Sequence, residues 1–281
     1  MPLTQATGMA LALGAAAAWG GADFYGGLAS RRSGVLQVLA LSRLAGLVCY
    51  ATVSAMAREA WPPAASVGWA VAAGMLGSLG IAALYLGLVA GRAALVVPTS
   101  GVVGAAIPVA FAAVAAGILP LVQQAGLLAA LVGIFLVSRG DGYPGSGRVH
   151  GVAHGVLAGA GFGGFFLCLG QVAPGHVFTP LALVGVGSCG MATLVLLVTG
   201  TRLPSPRRHP TALVAGALDA TGAVSYLLAV SWIRLDIAAV LASTYPAITV
   251  LLFRRVLHEP VSRPQWVGLA ICVVAIGMIA W

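Results

Sequence analysis

The chain has 281 residues, of which 60% are hydrophobic and only 7% charged, with a formal net charge of +8. Soluble domains carry about 25% charged residues, so this chain lacks the means to build a charged shell. That excludes an ordinary water-soluble enzyme, a disordered chain and a secreted disulfide scaffold. A mean hydropathy of +1.03 and 39 glycines point instead to a polytopic helical membrane protein, because glycine lets membrane helices approach closely.

Ten apolar segments follow one another along the chain, at about 9–28, 35–57, 67–90, 94–117, 122–138, 152–172, 181–198, 211–232, 237–253 and 265–281. Helices are expected in all of them, since open strands leave backbone groups unpaired in lipid. At about 1.5 Å per residue most are long enough to cross a hydrocarbon core of about 30 Å; the fifth, ninth and tenth are short. Pro98-Thr99-Ser100 is expected to interrupt span four, and Tyr245-Pro246 lies inside span nine. A proline within a span frees a carbonyl that can line a site. No basic stretch precedes the first span, so no cleavable leader is expected. The four cysteines, Cys49, Cys168, Cys189 and Cys272, all lie in apolar runs without metal-ligand spacing and read as packing thiols. His150 and His154 stand four apart, but no third ligand is near in sequence, so no metal site or cofactor is expected.

The longest linker contains Asp-Gly and Pro-Gly turn signals and divides the spans five and five. The expected organisation is a first repeat at 1–139, a linker at 140–151 and a second repeat at 152–281. Span six carries Gly151, Gly155, Gly159 and Gly163 on one helix face; 143 residues earlier, span one carries Gly8, Ala12, Ala16 and Gly20. Pro108 matches Pro246 at an offset of 138, and Gln123 and Gly126 match Gln265 and Gly268 at 142. An odd number of spans per half requires the second to insert upside down. Inverted repeats typify secondary transporters, whose substrate site lies near the midplane.

The 14 basic residues are all Arg and fall mostly between the spans, which argues for topology rather than nucleic-acid binding. Arg58 and Arg234 lie on the side of the termini. Arg31, Arg32, Arg92, Arg139, Arg148, Arg202, Arg207, Arg208, Arg254, Arg255 and Arg263 lie on the other. The positive-inside rule makes the second side cytoplasmic, with both termini outside. Trp61, Trp69, Trp232 and Trp281 then form an outer interfacial belt.

The stretch from Thr244 to Gly268 resembles the end of an EamA domain, in which a helix with an early proline leads to a loop Glu and then to a Gln and a Gly that open the last helix. Those positions here are Pro246, Glu259, Gln265 and Gly268. The start of the chain, from Trp19 to Arg32, and the plan of two five-helix repeats are similar to the same family. The first half departs from the pattern, having Leu119-Pro120-Leu121 where the loop Glu is expected. The resemblance implies the drug/metabolite transporter superfamily, whose ten-helix members move small metabolites, often amino acids or related compounds, across bacterial inner membranes.

Ionisable groups inside spans are costly and mark function by default. Here they are Asp23, Arg43 and Asp219. Asp23 and Arg43 each lie roughly 14–16 Å along their helices from one cytoplasmic turn, which suggests that they pair. Arg43 with Asp219, or with both acids, is the other arrangement. With two acids and one Arg, one carboxylate is left without a full partner, and such a group exchanges a proton more readily. Proton-coupled alternating access is the expectation, with Asp23 or Asp219 as carrier and Arg43 as the fixed cation. Trp19, Tyr85, Thr99, Tyr226 and Tyr245 are the further candidates to line a cavity. Asp219, Gly222 and Tyr226 form one helix stripe, and Tyr85 matches Tyr226 at an offset of 141.

The expected function is secondary transport, in the export direction, of a small polar or amphiphilic metabolite, with the bilayer as the other partner. A flippase of lipids or lipid carriers is the alternative on the same fold. A membrane-embedded enzyme is the third class, but the chain offers no nucleophile–base or metal constellation. Without a single Lys it has no Walker A motif either.

Overall fold

A computed structural model of the chain describes residues 3–30, 33–89, 93–138, 148–258 and 262–280. Arg31, Arg32, Arg92, Arg139, Glu259, Trp281 and the linker up to residue 147 lie outside the described residues, as do the side chains of Tyr85, Pro98, Arg148 and His150. The helices are α1 (Leu3–Ser30), α2 (Val35–Ala57), α3 (Ala64–Val89), α4 (Ala93–Ala116), α5 (Leu121–Ser138), α6 (Arg148–Gly170), α7 (Phe178–Thr199), α8 (Pro210–Val230), α9 (Leu235–Ala242), α10 (Tyr245–Leu257) and α11 (Arg263–Ala280). Among the described residues there is no strand. The protein is an all-α multi-pass membrane protein: among the described residues seven helical segments are long and apolar enough to cross a membrane, and α9 and α10 together make up the expected ninth span. Helix α6 begins at Arg148, so the last residues of the expected linker are helical.

The helix ends have local causes. Helix α2 stops where Arg58 takes a left-handed conformation at φ 48. Gly200 does the same after α7 at φ 65, and its N–H bonds the carbonyls of Leu196 and Leu197. Helix α8 opens with Pro210 in its first turn, where a missing N–H costs nothing.

One expectation about proline is corrected and the other is sharpened. Helix α4 runs unbroken from Ala93 to Ala116, through Thr99 and Ser100, whereas the ninth span breaks between Ala242 and Tyr245. Pro246 has no N–H to donate to Ala242 and its ring crowds that carbonyl. The chain therefore tightens: the Thr244 N–H bonds Leu241 O at 3.2 Å and the Ala247 N–H bonds Thr244 O at 2.9 Å, both three residues back. The Thr244 hydroxyl adds a 2.7 Å bond to Leu241 O.

Helix packing repeats itself. Exchange α1 with α6, α2 with α7, α3 with α8, α4 with α9–α10, and α5 with α11. The contact of α1 with α8 then becomes that of α6 with α3; α2 with α8 becomes α7 with α3; and α4 with α6 becomes α9–α10 with α1. The pairs α2–α7 and α5–α11 map onto themselves. Two five-helix units related by a pseudo-twofold account for this pattern, and an odd helix number makes the repeats inverted. The small-residue stripes serve the corresponding contacts. A methyl on Gly159 or Gly163 would press on Val103 or Ile107 of α4, and one on Gly20 on Ile248 of α10.

The end of the molecule that carries the termini is tied across the repeats. The Glu59 carboxylate accepts the Val177 and Thr179 N–H groups at 2.7 and 2.8 Å, capping α7. Arg234 forms a two-pronged pair with buried Asp236 and donates to the Ala116 and Gly117 carbonyls at 3.1 and 2.8 Å, capping α4. Helix α9 beside it is buried from Asp236 to Ala242. The outward faces of the bundle expose Leu, Val and Trp side chains, as a lipid-facing surface requires.

Candidate functional site

Between the two repeats lies a cavity of about 80 Å³. It is lined by Trp19 and Asp23 of α1, Arg43 and Tyr50 of α2, Gly77, Ile81 and Leu84 of α3, Phe162, Phe165 and Phe166 of α6, Val184 and Ser188 of α7, Asp219 of α8 and Tyr245 at the break of the ninth span. Ligand clefts typically measure about 300–1,000 Å³, so in this conformation the space suits a few waters and loading requires the helices to part.

Of the two pairings left open by the sequence, the structure forms the second: Arg43 Nη1 lies 3.0 Å from Asp219 Oδ2, with both side chains largely shielded. Asp23 faces the same cavity and, among the described residues, forms no ion pair within 4 Å. Matched depth along two helices does not decide pairing; rotation about each helix axis does. Helix α2 packs on α8 more extensively than on α1, and a methyl on Gly216 of α8 would meet the Ser42 carbonyl, one residue before Arg43. That close approach brings Arg43 to Asp219.

Trp19 braces this arrangement. Its indole Nε1 donates to the Asp219 carbonyl at 3.1 Å, and its ring fits against Gly222, where a methyl would lie 2.5 Å from Nε1. The same ring packs on Phe165, Phe166 and Tyr226 with centroids 6.0, 5.5 and 5.8 Å away. Tyr226, at 0% exposure, is not a lining residue; it sits behind Trp19 and Phe166, its hydroxyl donating to Phe166 O at 3.4 Å. Thr99 is half-buried on α4, which contributes no lining residue among the described side chains. Tyr85 falls on α3 with its side chain outside the described residues.

Tyr50, Ser188 and the three phenylalanines of α6 were not singled out from the sequence. The phenylalanines had a signal: the 143-residue offset that aligns the small-residue stripes sets Phe162 against Trp19 and Phe166 against Asp23. The site is thus pseudo-symmetric in backbone and asymmetric in chemistry, with an aromatic wall from α6 facing a charged pole from α1, α2 and α8. Ser188 instead serves packing, donating to Gly74 O at 3.1 Å across the α3–α7 contact.

Residues 150–281 match the model of the EamA-like transporter family. No curated protein matches the chain. Seventeen chains of known structure do. One of them, described only as a protein crystal structure, has a TM-score of 0.75 at 15% identity over 98% of this chain and 97% of its own. At that identity it speaks for the fold alone.

Proposed function

We propose, on the premise that residues 150–281 match the EamA-like transporter family, that this membrane protein is a proton-coupled exporter of small molecules, working by alternating access in a bacterial inner membrane. The observation that carries the reading is the unequal treatment of two acids in one cavity. Asp219 is matched by Arg43 at 3.0 Å, while Asp23 lacks an ion-pair partner among the described residues. A carboxylate in that position alternates between a proton and a substrate, which couples their movements. The groups facing it are Arg43 and Tyr50 of α2, Asp219 of α8 and Tyr245 of α10.

The break at residues 243–244 supports alternating access, because α10 can tilt there while α9 stays buried. The apolar groove between α3, α6 and α7, about 490 Å³, has Thr199 as its only polar lining residue among the described residues. It offers little to a lipid headgroup and weighs against a flippase. The test is pH-driven exchange in proteoliposomes. Asp23→Asn is expected to fold, to abolish transport driven by a proton gradient, and to leave substrate exchange insensitive to pH. Full gradient-driven transport by that variant would remove Asp23 as the carrier.

A further inference from the structure

The charge and wall chemistry of the cavity select among substrates, an argument that rests on the transporter reading of the same site. With its acids ionised the cavity holds Asp23, Asp219 and Arg43, a net charge of −1. The guanidinium of Arg43 is already matched to Asp219. A substrate carboxylate would therefore have to displace Asp219 or stand unmatched beside two acids in a poorly solvated space, which is costly. A cation meets the opposite conditions: Asp23 awaits a counter-charge, and aromatic rings surround the space. Trp19, Phe165 and Phe166 form one packed cluster, and Tyr50, Phe162 and Tyr245 line the rest. Ring faces attract cations and cover apolar bodies.

We propose that the site takes a monovalent organic cation with a compact apolar body, an alkyl- or arylamine, in preference to a zwitterionic amino acid. Binding exchanges one proton for one cation: protonated Asp23 gives up its proton, the ammonium group takes its place, and the charge within the cavity is the same before and after.

Three probes of one skeleton test this on the purified full chain in nanodiscs: phenethylamine (cation), phenylalanine (zwitterion) and 3-phenylpropionate (anion). Calorimetric titration is expected to show phenethylamine binding at least tenfold tighter than the other two, releasing about one proton into weak buffer. Asp23→Asn is expected to lose that proton release and at least tenfold in amine affinity; Phe166→Leu is expected to weaken the amine while keeping the proton release. Phenylalanine binding as tightly as phenethylamine, no binding of phenethylamine, or undiminished amine affinity in Asp23→Asn would each overturn the proposal. Gradient-driven transport of phenylalanine that depends on Asp23 would remove the cation preference and leave the proton-coupled transporter standing. Amine binding without transport would do the reverse.

Discussion

At the residue scale the Arg43–Asp219 pair carries a large electrostatic stake within the cavity. Removing one partner of a shielded pair leaves the other charge poorly compensated, at a cost of about 3–5 kcal/mol. Asp219→Asn is therefore expected to lower the detergent melting temperature clearly, and Arg43→Gln combined with Asp219→Asn to recover more than half of the loss. A double variant no more stable than the single would mean that the pair contributes little. All three intramembrane charges are legible in the sequence, because ionisable groups in apolar runs stand out. Their pairing is not, because it depends on how α2 is rotated against α8. Tyr226 shows the same limit: its position on the Asp219 stripe is readable, but its burial behind Trp19 and Phe166 follows from the neighbouring helices.

At the element scale the ninth span holds the mechanical feature. Two prolines at matched places in the repeats have different effects: α4 stays continuous through Pro108, while the chain breaks ahead of Pro246. Around the break, Thr244 and Ala247 find bonds three residues back, and the Thr249 hydroxyl lies 3.2 Å from Gly20 O on α1. Pro246→Ala restores a donor for the Ala242 carbonyl and is expected to straighten the span. Stability should hold or rise, while the transport rate should drop several-fold. An unchanged rate in proteoliposomes would count against hinge motion at this point. Hydropathy and length located most spans to within about four residues, with α1 starting six residues earlier than expected; the break in the ninth span was missed, because hydropathy does not register where a chain tightens ahead of a proline.

At the scale of the whole molecule, exchange symmetry in helix packing and the Arg asymmetry between the two ends lead to one topology. With both termini on one side and eleven Arg in or near the connections on the other, we propose that the end tied by Glu59 and Arg234 faces outward. Single cysteines at Trp61 and Arg207, in a chain stripped of its four native cysteines, check this in intact cells. An impermeant maleimide is expected to label the first and spare the second, and the opposite pattern would invert the topology.

Composition alone determined the solvent in which this chain folds, because 7% charge cannot clothe a soluble surface. Hydrophobic spacing determined the spans, and repeat offsets determined their inverted duplication, since both are written along one helix or one chain direction. Tertiary structure decided which acid meets Arg43, which aromatics reach the cavity and where the ninth span bends. Those outcomes depend on rotation and close approach between helices far apart in sequence, and spacing within a single span carries no record of them.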